Sequence, residues 1–187
     1  MSSADPRRIH LQRALATFRP SDDRESGFCR RMVTLLTSPG DPFSRDHFNP
    51  GHVTASAFIL SPDRQHLLLA LHAKLGRWLQ PGGHVEASDA DVLAAARREV
   101  SEETGLTGLE PLGQGVLDID VHAIPPLFGS PEHAHFDVRY LFVAPTTQAR
   151  AASDARSLRW VPLASVDDVE SDASVMRAVS KIVRVLG

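Results

Sequence analysis

Apolar positions change their spacing along the chain, and each change marks a new kind of element. Ile9, Leu11, Leu15 and Phe18 predict one helix, and Phe28, Met32, Leu35 and Leu36 predict a second, with Pro20 and Pro39 as stops. The proline-rich stretch from Ser38 to Gly51 reads as a linker, or as a loop lying on the main body. From His52 the period shortens. His52 to Leu60 and His66 to His72 predict strands joined by the turn SPDRQ, and Trp78 to Gln80 leads into a glycine turn. Gly115 to Ala123, His135 to Ala144 and Ser157 to Pro162 are again strand-like, and Ser174 to Leu186 returns to helical spacing. No internal repeat or low-complexity tract interrupts this order. The pattern divides the chain into an N-terminal helical extension with its linker, residues 1–50, and a main domain, residues 51–187.

The segment Gly82 to Leu106, GGHVEASDADVLAAARREVSEETGL, carries the most chemistry. Val92, Leu93, Ala96 and Val100 recur at helical spacing. Ser88 with Asp91 three positions on reads as a capping box at the start, and Gly105 sits where a left-handed cap ends a helix. At about 100° per residue, Glu99 and Glu103 fall within or beside the apolar stripe, and Glu102 lies farther round. The carboxylates should therefore line a cleft edge. Their placement is unfavourable in isolation: Glu99 and Glu103 repel at i,i+4, and all three crowd the negative end of the helix dipole. A bound divalent cation reverses both penalties. Magnesium suits such a site, because it takes carboxylate oxygens, keeps several waters and bridges to phosphates. The same residues also fit a solvated charged helix with Arg98 paired to Glu102.

The whole segment resembles the Nudix box, whose pattern is Gly, five residues, Glu, seven residues, then Arg-Glu-apolar-x-Glu-Glu-x-Gly-apolar. Gly83, Arg98, Glu99, Val100, Glu102, Glu103, Gly105 and Leu106 match it. Two positions depart. Asp89 stands where the family usually has Glu, and eight residues, not seven, separate it from Arg98. An insertion inside a helix rotates every later side chain by about 100°, so the extra residue belongs in the loop around Ser88 to Asp91. The phrases LGRWLQPGGHVE, DIDVHAIP and HFDVRYLF resemble a bacterial Nudix subgroup with a box one residue longer.

The resemblance implies an α/β protein, a Nudix-type α/β/α sandwich with a mixed sheet behind the N-terminal helical extension. It also implies a magnesium-dependent hydrolase, manganese being an alternative ion, of a diphosphate linkage in a nucleoside diphosphate joined to another group. Glu99, Glu102 and Glu103, with a backbone carbonyl of Gly82 or Gly83, would hold the metal, and Arg98 would orient the glutamates through ion pairs. The base is left open between a box glutamate and an acidic residue outside it, such as Glu132. Two other readings belong to the same fold. An isopentenyl diphosphate isomerase needs a catalytic cysteine near its first strands, whereas Cys29 lies before them. A non-catalytic nucleotide-binding module commonly lacks box carboxylates, and all three are present here.

Alternation places Asp118, Asp120 and His122 on one strand face, opposite Leu117, Ile119 and Val121. His135, Asp137 and Arg139 likewise face away from Phe136, Val138 and Tyr140. These polar faces either line a substrate cleft, with Arg139 on a phosphate and an aspartate or Glu132 as a further ligand or base, or meet solvent. His122, His133 and His135 also permit zinc. Lys74, Arg77 and Trp78 precede the glycines, where they would touch phosphate or stack on a base, although Trp78 also suits a core.

Composition narrows this picture without redirecting it. The 187 residues suit one ordinary domain, and a net charge of −3 leaves no electrostatic footprint for nucleic acid. The single cysteine, Cys29, rules out an intrachain disulfide or a cysteine-rich metal site. The apolar runs are too short to span a bilayer, and no signal-peptide core opens the chain, so a cytoplasmic location is expected. A homodimer is compatible with the resemblance, and the expected partner is a small nucleotide-type substrate.

Overall fold

The structure, a computed structural model, describes residues 5–73, 75–126, 129–152 and 155–187. Helices α1 (Pro6–Thr17) and α2 (Asp23–Thr37) come first, each opened by an aspartate cap, Asp5 and Asp22. The Arg8 guanidinium donates to the carbonyls of Leu36, Ser38 and Gly40, so α1 holds the end of α2 and the chain beyond it. Leu11, Leu15, Phe28, Met32, Leu35 and Leu36 are buried in the same core as the sheet, joined by Phe43 from the segment read as a linker. That segment is a loop packed on the body.

Strands β1 (Gly51–Leu60) and β7 (His133–Val143) lie parallel at the centre of one mixed sheet, and β1 is buried along its whole length. Strand β2 (His66–His72) pairs antiparallel with β1 and carries β3 (Trp78–Leu79) and β8 (Ala155–Pro162). Strands β5 (Glu110–Pro111) and β6 (Asp118–Ile124) pair antiparallel with β7. The Gly82–His84 stretch, expected as a turn, is instead a short strand, β4, paired antiparallel with β1.

Helix α3 (Val92–Thr104) and the N-terminal helices cover one face of the sheet, against Val53, Ala55, Ala57 and Ile59. Helix α4 (Ala173–Leu186) covers the other, against Phe58, Leu60, Leu67, Leu69 and Leu141. The β1 residues alternate between these two cores, as period-2 geometry requires. The arrangement is the expected α/β/α sandwich. Among the described residues, no helix is long and apolar enough to cross a membrane.

Candidate active site

Helix α3 begins one residue after Asp91, whose carboxylate accepts from the Ala94 N–H at 2.8 Å. Asp91 is thus the cap, and the expected capping box at Ser88 does not form. Residues 88–91 lie outside the helix, which leaves the extra box residue in a loop and the later register intact. At the far end Gly105 adopts φ 69°, a left-handed conformation that a side chain would strain, and its N–H reaches the Ser101 carbonyl. Val92, Ala95, Ala96, Glu99, Val100 and Thr104 form the buried face. Of the three glutamates, Glu99 is buried, Glu103 is half-buried and Glu102 is exposed, the order that helical rotation predicts.

The glycines preceding the helix are required by proximity. A Cβ on Gly83 would lie 2.6 Å from the Glu99 carboxylate, and one on Gly82 would lie 2.6 Å from Ser56 Cα. Neither has positive φ. The two replacements should therefore differ. In Gly83→Ala the obstructed atoms are the end of a flexible side chain, so Glu99 swings away. We expect activity to fall while the melting temperature stays within a few degrees. In Gly82→Ala the obstruction is backbone, and stability falls first. Thermal melts alongside steady-state kinetics of both variants check this; equal melting losses would sink the distinction.

Arg98 organises the box. Its Nε and Nη2 donate to Asp89 at 3.1 and 3.0 Å, and Nη2 also donates to the His84 carbonyl at 2.8 Å. Nη1 donates to Glu99 at 2.9 Å and to Glu102 at 3.0 Å. One guanidinium thereby ties the loop, β4 and two turns of α3 together. Asp89, the position that departs from the family pattern, supplies a bidentate anchor, a geometry that suits the planar guanidinium. Burial raises the Asp89 pKa, but the Arg98 hydrogen bonds and the Glu86 N–H outweigh it and hold the carboxyl below its ordinary value. Glu99 goes the other way. Its burial raises the pKa more than Arg98 lowers it, so a carboxylate that wants a stronger counter-charge sits beside the backbone of β4.

A concavity of about 670 Å³ opens next to this site, lined by Arg7, Phe43, Arg45 and residues 85–88. Arg45 is mostly exposed, stands 3.8 Å from Glu86, and its charge acts on Glu99. Nothing in the sequence singles out Arg45, because it lies in an irregular loop where no periodicity assigns a face.

The polar strand faces turn out to be buried. Asp118, Asp120, Asp137 and Arg139 are closed over from the α4 side. Arg139 is 2 % exposed and donates to Asp137 at 2.8 Å, to Asp118 at 3.3 Å and to Ser174 Oγ at 3.0 Å. Asp137 also accepts from Thr54 and Ser56. Arg177 donates to Asp118 and Asp120, and Lys181 bonds Asp118 and the buried Glu25 of α2. The donors of Arg139 are committed inside the protein, and with them Asp120 and Asp137 are interior ion-pair partners. This corrects the expectation of a phosphate-holding arginine on an open face: α4 covers the strands because its own basic residues, Arg177 and Lys181, complement the aspartates. Lys181, the lone lysine within the apolar periodicity of α4, was the available signal.

The remaining expected residues scatter. Glu132 and Arg77 are exposed, Trp78 packs partly against the α4-side core, and Lys74 lies outside the described residues. His135 joins His52, His84, His122 and His133 at one end of the buried polar face.

A family model described as the NUDIX domain matches residues 50–179. A Nudix-family hydrolase from Clostridium perfringens superimposes with a TM-score of 0.53 at 23 % identity, over 71 % of this chain and 97 % of its own. The NUDIX domain of Shewanella oneidensis NrtR, complexed with ADP ribose, gives 0.55 at 16 % identity, over 94 % of this chain and 98 % of its own. The Escherichia coli dihydroneopterin triphosphate pyrophosphohydrolase gives 0.54 at 16 % identity, over 71 % and 95 %. No curated protein matches the sequence.

Proposed function

The chain belongs to the Nudix family of pyrophosphohydrolases, and from that premise we propose that it cleaves a diphosphate linkage in a nucleoside diphosphate joined to a second group. Residues 51–187 form the catalytic domain in this reading, with residues 1–50 as an extension packed on it. The observation that carries the proposal is the approach of Gly83 to Glu99, which leaves no room for a Cβ between a strand backbone and a buried carboxylate. The donors proposed for the ion are all oxygens: the carbonyl of Gly82 or Gly83, with Glu99, Glu102 and Glu103. This all-oxygen set fits magnesium, with manganese as substitute. When bound, the ion supplies polarisation of phosphate oxygens and a water activated for in-line attack at phosphorus.

The chain's own groups do the rest. Arg98 holds Glu99 and Glu102 in place and is itself fixed by Asp89 and the His84 carbonyl. Glu99 is kept dry by its burial, which strengthens its interaction with any cation. Arg45, facing the concavity beside the box, is placed to meet a substrate phosphate, the role earlier expected of Arg139. A box glutamate is favoured as base over Glu132, because Glu132 is exposed just before β7. ADP ribose in the Shewanella domain is itself a nucleoside diphosphate joined to a sugar, which supports this substrate class.

The test is product release from nucleoside triphosphates, dinucleoside polyphosphates, nucleotide sugars, ADP-ribose and NADH, with magnesium, manganese or EDTA. We expect turnover of nucleotide sugars or ADP-ribose that EDTA abolishes. Ligands that raise the melting temperature without being consumed would overturn the proposal in favour of a binding module.

A further inference from the structure

Strand register gathers five imidazoles at the end of the sheet where β1 and β7 begin. Parallel pairing sets His52 beside His135, antiparallel pairing sets His122 beside His135, and β4 brings His84 opposite Thr54 on the His52 face. His133 precedes His135 on the same face of β7. Ring centroids are 4.9 Å apart for His52 and His135, 5.1 Å for His52 and His133, and 5.3 Å for His133 and His135.

Nδ1 of His133 lies 2.8 Å from the Pro131 carbonyl, and Nδ1 of His52 lies 3.4 Å from the His47 carbonyl. A carbonyl accepts only, so each Nδ1 carries its proton and each Nε2 presents a lone pair. His52 is 1 % exposed, and its Nε2 has no hydrogen-bond partner. A buried acceptor without a partner costs about 1–3 kcal/mol, and a native structure keeps it for a reason. One ring nitrogen from each of His52, His133 and His135 lies within 4.8 Å of the other two.

We propose that His52, His133 and His135 form a second metal site, for zinc or a similar nitrogen-preferring divalent ion, distinct from the carboxylate box. Zinc–nitrogen bonds of about 2.0–2.1 Å place tetrahedral ligands roughly 3.4 Å apart, within reach of small ring rotations. His84, whose ring lies 5.1 Å from that of His52, or a water supplies the fourth ligand. The carbonyls behind His52 and His133 are the outer partners that metal-bound histidines ordinarily have, and His122 beside His135 is bonded to Asp120 at 3.0 Å. The site ties the start of β1 to the start of β7. Its nitrogen donors select a different ion from the all-oxygen box.

The test uses the full chain with Glu99→Gln and Glu103→Gln, which disables the carboxylate box. Cobalt(II) is titrated while visible ligand-field absorption is followed, and zinc or magnesium is then added. We expect one equivalent of cobalt to bind in a four-coordinate environment, to be displaced by zinc and to be untouched by magnesium. His135→Ala and the gentler His133→Gln, each with an unchanged circular dichroism spectrum, should weaken binding beyond the roughly 10–100-fold that loss of an outer partner costs. Absence of cobalt uptake by the box-disabled chain, or unchanged uptake in folded His133→Gln, would overturn the proposal. Magnesium-dependent turnover by the unmodified chain tests the box separately.

Discussion

Glu99→Gln lowers kcat by on the order of 10³-fold and leaves the protein as stable as before or slightly more so. The two halves of this result have one cause. Glu99 is buried, and desolvation is the largest influence on its carboxyl, so the ionised form is held at a cost in the metal-free protein. Its folded pKa is raised above the unfolded value. The cost is therefore present above that pKa and is relieved as pH falls through it. Glutamine keeps the acceptor that Arg98 Nη1 uses at 2.9 Å and removes the charge. In the proposed role, catalysis loses a ligand charge that supports several kcal/mol of transition-state stabilisation, and each 1.36 kcal/mol is tenfold in rate. Steady-state kinetics and a thermal melt of the metal-free protein decide the matter. A variant with near-normal kcat would remove Glu99 from the metal site, and a large melting loss would show that its charge serves the fold.

The largest effect on stability belongs to Arg139. Arg139→Met leaves Asp118, Asp120 and Asp137 in the interior with part of their counter-charge gone, and breaking a buried pair this way costs about 3–5 kcal/mol. At roughly 2–4 °C per kcal/mol for a chain of this size, the melting temperature should drop by about 6–20 °C. Activity of the remaining folded protein should survive at low temperature, since Arg139 faces the α4 side and α3 the opposite core. A raised KM with an unchanged melting temperature would instead restore Arg139 as a phosphate ligand. Because Arg177 and Lys181 share the same aspartates, double substitutions with them will not be additive.

Elements set by local interactions are legible in the sequence, and those set by long-range ones are not. Strand β2 and α4 were legible within a residue, and the two N-terminal helices were recognised by their apolar period although they start earlier, at Pro6 and Asp23, because polar first turns carry no such period. Strand β5 is only Glu110–Pro111, and the β4 glycines have no side chains to alternate, so neither announces itself. The Ser88 cap was misplaced because Ser88 and Asp91 both have side chains that can accept from backbone N–H groups. Only the loop conformation chose between them. Asp89 departs from the family pattern, yet its reach to Arg98 across nine positions is decided by the loop's path.

The resemblance of the box segment implied the α/β/α class; the residues themselves determined the register of Glu99, Glu102 and Glu103 on one helix and the oxygen-donor chemistry they share. That register and chemistry follow from the 3.6-residue period and side-chain composition, which are local. Tertiary structure alone decided which polar faces are dry. A strand's alternation says that Asp118, Asp120 and Arg139 share a side; whether that side meets water depends on what packs over it. Here α4 brings Arg177 and Lys181, and the ion pairs close the face. The same holds for the histidines: His52 and His135 are 83 positions apart, and only the parallel register of β1 and β7 makes them neighbours.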